Sequence, residues 1–215
     1  MKDFSDRILG PLIHFAHERI GLSPNQVSTG GFIIGLLAAA LVALGHVLAG
    51  LLLMALSQII DGVDGGIARR YNLRTSKGAY LEAVYDRLNE LTMFLALAYI
   101  GKASFTMALL AFLAIMLVTI VEPKSKFDPG AKRFMLYFGW LAEVAFGIRG
   151  FELSLHVVFF VNLTAVAVGT VIADYRLQKE VDARAIAERK QHRALGLPLP
   201  PEDPPSILSK LFSWL

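Results

Sequence analysis

The chain has 215 residues, of which 55% are hydrophobic and 18% are charged. This composition is typical of a polytopic membrane protein and argues against a soluble domain. The chain has no cysteine, which excludes disulfides, thiolate metal sites and thiol nucleophiles. The formal net charge of +3 is modest, and no recognition motif for nucleic acid is present, so we expect no nucleic-acid partner.

An amphipathic segment opens the chain over residues 1–21. Apolar residues recur at roughly helical spacing from Phe4 to Ile20, and charged residues fall between them. This pattern predicts a helix that lies in the membrane interface rather than crossing the bilayer.

Six largely apolar stretches follow, each close to the 20 or so residues that a spanning helix needs. They cover approximately 26–45, 47–68, 78–100, 103–121, 131–148 and 153–174, and the fifth is short. The sequence therefore predicts an all-α integral membrane protein with six transmembrane helices, whose transmembrane domain spans 22–175. Residues 176–215 are predicted to form a charged cytoplasmic tail, in which 206–215 is either a second interfacial anchor or a frayed end.

The basic residues orient the predicted bundle. All but three of the 21 lysines and arginines lie before the first span, in the second–third and fourth–fifth loops, or after the sixth span. The positive-inside rule places such residues in the cytoplasm. Both termini, and the loop between the second and third spans, are therefore predicted to be cytoplasmic in a cell-membrane protein.

Four carboxylates flank that loop at the membrane edge. Asp61 and Asp64 are three residues apart on one predicted helix, and Glu82 and Asp86 are four apart on the next, so each pair shares one side of its helix. Ionisable groups at membrane depth cost about 2.5–3.5 kcal/mol each on insertion scales, and are functional candidates for that reason. Facing helices would form an oxygen-only cage suited to Mg²⁺, Mn²⁺ or Ca²⁺.

The carboxylates belong to a longer pattern, Asp61-x₂-Asp64-Gly65-x₂-Ala68-Arg69-x₈-Gly78-x₃-Glu82-x₃-Asp86. It resembles the signature of the CDP-alcohol phosphotransferases, membrane enzymes of phospholipid headgroup synthesis. The family pattern has aspartate where this chain has Glu82, and the other fixed positions match. The segment from Leu22 to Ser28 also looks like the family's Pro-Asn entry to the first span.

The resemblance implies transfer of a substituted phosphate, such as a phosphatidyl group, from a CDP-linked donor to the hydroxyl of an acceptor alcohol, with release of CMP. It implies two Mg²⁺ or Mn²⁺ ions per site, with Asp61, Asp64, Glu82 and Asp86 as ligands. Asp86 is also the candidate base for the acceptor hydroxyl. Glu82 is one methylene longer than the family's aspartate, which could loosen the metal geometry.

The resemblance also assigns substrate contacts. The residues expected to bind the nucleotide or donor are Asn25, Ser28, Gly65, Ala68, Arg69 and Gly78. Lys132 and Arg133 are candidates for binding a phosphorylated acceptor, although basic loop residues commonly serve topology alone. The expected donor is CDP-diacylglycerol, the expected acceptor is a small alcohol such as a phosphorylated inositol, and a homodimer in the lipid bilayer is expected.

Two alternatives stay open at the level of the sequence. A small transporter could use the carboxylates to bind coupling ions, although they lie near one face and no inverted repeat is visible. A non-catalytic homologue is the other alternative, with Glu82 marking lost activity. Release of CMP from a CDP-lipid would distinguish an enzyme from both.

Overall fold

The computed structural model describes residues 9–125, 129–130 and 132–198, and it is helical with no strand in that part of the chain. The helices are α1 (Gly10–His14), followed by a π-helical turn (Phe15–Arg19), α2 (Pro24–Ala43), α3 (Val47–Arg70), α4 (Ser76–Tyr99), α5 (Phe105–Ser125), α6 (Phe134–Phe146) and α7 (Gly150–Ala194). The helical class predicted from the sequence is confirmed. The first eight residues of the amphipathic segment and the predicted anchor at 206–215 lie outside the described residues.

Helices α2 to α7 coincide with the six predicted spans, but they differ in length and polarity. Four of them, α2, α3, α5 and α7, are long and apolar enough to cross a membrane. Helix α6 has only 13 residues, and α4 carries five charged residues in its first 15 positions. The count of six crossings and the cytoplasmic location of both termini therefore remain predictions.

Two compact units make up the described chain. The first runs to Phe112 and resumes before α6 as far as Val158, whereas the second comprises Leu113–Gly130 and the chain from Phe159 onward. In the second unit, α7 changes from an apolar to a charged helix and ends at Ala194, so the predicted charged segment begins as a continuation of this helix. The predicted segment boundaries at 21 and 175 remain predictions.

Within the first unit, the amphipathic segment packs against α2 and α3 through one fully buried side chain. Ile13 is 1% exposed and lies in a cluster with Val27, Val63 and Ile67. At the end of α3 the Tyr71 hydroxyl donates to the Glu18 carboxylate, and this hydrogen bond lowers the pKa of Glu18. The segment is thereby fastened to the start of α2 and the end of α3.

Small residues let the helices of the first unit approach closely. A side chain at Gly31 would place its Cβ 2.9 Å from Asp61 Oδ1, and one at Gly35 would place it 2.4 Å from Asn89 Nδ2. The Ser57 hydroxyl donates to the Gly31 carbonyl at 2.9 Å. Gly31 and Gly35 thus serve helix packing, and this packing brings α3 and α4 against α2 at the depth of the carboxylates.

Candidate functional site

A cavity of about 350 Å³ opens where α2 begins, α3 ends and α4 begins. Its walls come from the three helix ends and the loop between α3 and α4. The lining residues are Pro24, Asn25, Ser28, Asp64, Gly65, Ala68, Arg69, Leu73, Arg74, Thr75, Gly78, Ala79 and Glu82. Eight of the twelve site residues expected from the sequence are among them.

Helix caps fix the two helix starts that form the cavity. Ser23 and Gln26 make a capping box at the start of α2, with Pro24 in the first turn, where its missing N–H costs no hydrogen bond. At the start of α4 the Thr75 hydroxyl accepts a hydrogen bond from the Gly78 N–H at 3.0 Å. A Cβ at Gly78 would lie 2.9 Å from Asn25 Oδ1, so a larger residue here would displace the Asn25 side chain that lines the cavity.

The four carboxylates form one electrostatic cluster around the floor of the cavity. The charge of Asp64 interacts with those of Glu82 and Asp61, and Glu82 interacts with Asp86. Asp64 is 3% exposed, and its Oδ2 receives no hydrogen bond from any residue that the structure describes. A buried carboxylate oxygen without a donor is costly unless a cation compensates it.

Arg133 lies between two of these carboxylates. Its Nη1 is 2.9 Å from Asp61 Oδ2, and its Nη2 donates to Asp86 Oδ1. The guanidinium comes from the residue preceding α6 and is 12% exposed. Its planar fork matches two carboxylates at once. Asp61 and Asp86 are therefore paired with arginine rather than open to the cavity.

Lys132, the other candidate for binding an acceptor phosphate, is 7% exposed, and its charge interacts with that of Glu90. Glu90 itself is 3% exposed, lies 3.1 Å from Arg87 Nη1, and has its Oε1 3.9 Å from Arg133 Nε. No role for Glu90 is predicted from the sequence. The pattern that could have revealed it is the spacing of Glu82, Asp86 and Glu90, which repeats every four residues along one face of α4.

The residues present fit a hard divalent cation by their chemistry. The four acidic side chains of the cluster can offer a metal only carboxylate oxygens as charged ligands. Among these oxygens, Asp64 Oδ2 is buried and receives no hydrogen bond from the described residues. As the side chains stand, no three His, Asp or Glu residues within the described part of the chain converge on a common point. The guanidinium of Arg133 contacts one oxygen of Asp61 and one of Asp86.

Comparison with known proteins agrees with the resemblance seen in the sequence. Residues 22–128, which contain the whole aspartate signature, match the sequence profile described as CDP-alcohol phosphatidyltransferase. The chain belongs to this family. Together with the four long apolar helices, membership makes it a multi-pass membrane protein.

Curated relatives are similar over roughly half of the chain. An uncharacterised protein of Aquifex aeolicus is 32% identical over 118 residues, which are 54% of this chain and 60% of that protein. The archaetidylinositol phosphate synthase of Methanothermobacter thermautotrophicus is 29% identical over 109 residues, 51% of this chain and 56% of that enzyme. The matched region thus spans between half and two thirds of these relatives.

Solved structures share the fold. The phosphatidylinositol phosphate synthase of Mycobacterium tuberculosis in complex with manganese and citrate superimposes with a TM-score of 0.65 at 16% identity, covering 76% of this chain and 87% of that one. The same enzyme with CDP-DAG bound gives 0.60 at 19% identity, with 77% and 90% covered. At this identity the similarity establishes a shared fold and nothing further.

Proposed function

We propose that this chain transfers a phosphatidyl-type group from a CDP-linked donor such as CDP-diacylglycerol to the hydroxyl of a small alcohol, and releases CMP. The observation that carries the proposal is the cavity between α2, α3 and α4. Eight residues expected from the family signature and its Pro-Asn entry line this one space, and they include the carboxylates Asp64 and Glu82. The named synthase relatives and the fold shared with a synthase that binds CDP-DAG support the same reaction class.

The donor is proposed to occupy the cavity itself. Asn25 and Ser28 at the start of α2 offer polar contacts, and Gly65 and Gly78 let the nucleotide approach the backbone. Ala68 keeps one wall narrow, while Arg69 offers a guanidinium to a phosphate. An anionic pyrophosphate would thus meet basic and polar groups at the rim and carboxylates beneath.

Asp61, Asp64, Glu82 and Asp86 are proposed to hold the divalent ions, two Mg²⁺ or Mn²⁺ per site. Such ions would neutralise the pyrophosphate and stabilise the attacking and leaving oxygens. Asp86 is proposed to take the proton of the acceptor hydroxyl while the hydroxyl oxygen forms a bond to the lipid-bearing phosphorus of the donor. The bond from that phosphorus to the CMP oxygen breaks, and CMP leaves with the electron pair.

The acceptor is proposed to be a phosphorylated alcohol, with inositol phosphate as the first candidate and a phosphate site at Lys132 and Arg133. Arg133, which pairs with the proposed base Asp86, and its buried neighbour in the chain, Lys132, support an anionic acceptor. The direct test is CMP release by the purified protein with CDP-diacylglycerol and inositol phosphate, glycerol phosphate, serine or inositol. We expect release with one of the phosphorylated acceptors; absence of CMP with all four would contradict the proposed reaction.

The proposed topology has six crossings, cytoplasmic termini, a cavity open to the cytoplasm and a homodimeric assembly. Single cysteines replacing Arg74 and Lys102, in a chain without cysteine, report the side of each loop. In sealed vesicles we expect an impermeant reagent on the cytoplasmic side to label position 74 and leave position 102 unlabelled. The reverse labelling would invert the bundle.

A further inference from the structure

The side chain of Arg133 contacts three carboxylates from two helices. Its two terminal nitrogens pair with Asp61 on α3 and Asp86 on α4, while its Nε faces Glu90 Oε1 at 3.9 Å. Asp61 and Asp86 side chains are only 25% and 31% exposed. In such surroundings the attraction between unlike charges is only partly screened, so this arginine offsets part of the repulsion between the two carboxylates.

The same oxygens cannot hold the guanidinium and a divalent ion together. Asp61 Oδ2 and Asp86 Oδ1 are the atoms that Arg133 contacts. A dication on those oxygens would bring three positive charges within a few ångströms of each other, which is strongly unfavourable at low dielectric. Binding of the ion therefore requires that the guanidinium move away from at least one of the two carboxylates.

Glu90 is positioned to pair with the guanidinium of Arg133 after its displacement. It is already 3.9 Å from Arg133 Nε, and it is 3% exposed. Its Oε2 accepts no hydrogen bond from the described residues, although Arg87 Nη1 lies 3.1 Å away as an ion pair. A buried carboxylate with spare acceptor capacity, one helical turn beyond Asp86, can receive a shifted arginine without exposing either charge.

We propose that Arg133 is an internal counter-cation that a divalent ion displaces, and that Glu90 is the positioning residue that receives it. This inference rests on the proposed function, because it assumes that the carboxylate cluster binds metal. One movement then has two consequences. Asp86 is freed to act on the acceptor hydroxyl only when the ion is present, and the guanidinium becomes available beside it for an anionic acceptor.

Binding of Mn²⁺ alone tests the first half of the proposal. With full-length purified protein, and no substrate, free Mn²⁺ is followed by electron paramagnetic resonance. We expect Arg133→Ala to bind Mn²⁺ about tenfold more tightly than the parent, since no arginine competes for the oxygens. Arg133→Lys, which keeps the charge but loses the fork, should shift the affinity less in the same direction.

The matched control is Arg74→Ala. Arg74 lines the cavity and interacts electrostatically with Glu82, but its charge is not paired with Asp61 or Asp86. Removing it lowers the positive field of the site without removing a competitor, so we expect a change of less than about threefold. If Arg74→Ala tightens Mn²⁺ binding as much as Arg133→Ala does, or if Arg133→Ala leaves the affinity unchanged, the displacement is refuted.

A double-mutant cycle tests Glu90. In the parent, Glu90→Gln should weaken Mn²⁺ binding by about fivefold or more, because no carboxylate remains at position 90 to pair with the displaced arginine. Glu90→Asp keeps a carboxylate there and should have an Mn²⁺ affinity close to that of the parent. In the Arg133→Ala background the same change should weaken binding by less than about twofold. Equal effects in both backgrounds would show that Glu90 acts only through its charge, and would remove it from the proposal.

These results are separable from the proposed reaction. Mn²⁺ affinities need no donor or acceptor, so they can bear out the displacement even if no CMP is released. If the parent binds no Mn²⁺ but Arg133→Ala does, the arginine excludes the ion instead of being displaced by it, and the displacement is overturned. If neither protein binds Mn²⁺, the displacement is overturned together with the metal site, whereas the CMP assay still decides the reaction on its own.

Discussion

Asp86→Asn is expected to lower CMP release by about 1,000-fold, within the range found for loss of a general base. Asp86 lies one turn beyond Glu82 and is the carboxylate that Arg133 contacts together with Asp61. Asparagine has nearly the same shape, and its amide oxygen can still accept from Arg133, but it cannot take a proton at neutral pH. Turnover should therefore collapse while the affinity for the CDP-linked donor changes little.

The control for this variant is Glu82→Asp, which keeps the charge and restores the family pattern. Glu82 lines the cavity, and a shorter carboxylate there should keep or raise activity. Turnover and donor affinity are measured in parallel for both variants. Turnover of Asp86→Asn within tenfold of the parent would exclude Asp86 as the base. A folded but inactive Glu82→Asp would show that the α4 backbone is positioned for the longer side chain of glutamate.

The positions of the long helices follow from the sequence, because hydropathy and caps act locally. Ser23 and Pro24 mark the start of α2, two residues before the predicted 26, and α3 begins at Val47 as predicted. The extents of α6 and α7 were less predictable. Helix α6 stops at Phe146, whereas α7 runs on through a charged segment that hydropathy alone would end near 174.

The residues proposed to bind the CDP-linked donor could also be predicted from the sequence. Its residues occupy short fixed gaps at the end of α3 and the start of α4, and the resemblance to the family signature implies that they bind the donor together. The entry motif at Asn25 and Ser28 adds the third wall, and the cavity contains both. The signature thus accounts for six of the twelve expected residues, and the entry motif adds two more.

The pairing of Arg133 with Asp61 and Asp86 could not be predicted in the same way. Arg133 is 47 residues from Asp86 and 72 from Asp61 along the chain, and only tertiary packing brings it between them. The sequence suggested an acceptor contact for this residue, but gave no reason to expect pairing with the carboxylates themselves. Glu90 was missed because a buried glutamate in an apolar stretch has no motif of its own, only its four-residue spacing from Asp86.

Removal of divalent cations is expected to abolish turnover, by about 100-fold or more, without unfolding the protein. Activity is lost because the pyrophosphate of the donor is left uncompensated beside four carboxylates. The fold persists because Arg133 bridges Asp61 and Asp86 and keeps the metal-free cluster partly neutralised. CMP release is measured in excess chelator and after addition of Mg²⁺ or Mn²⁺, while circular dichroism follows helix content.

Arg133→Ala gives this experiment its control, because it removes the cation that stabilises the metal-free state. The parent should keep its melting temperature in chelator to within a few degrees. Arg133→Ala should melt lower in chelator and regain more stability than the parent when Mn²⁺ is added, since a ligand that binds only the folded state stabilises it in proportion to its affinity. Undiminished turnover of the parent in excess chelator would refute the metal requirement. Equal melting temperatures of the parent and Arg133→Ala in chelator would instead show that repulsion among the carboxylates does not destabilise the metal-free protein when the arginine is absent.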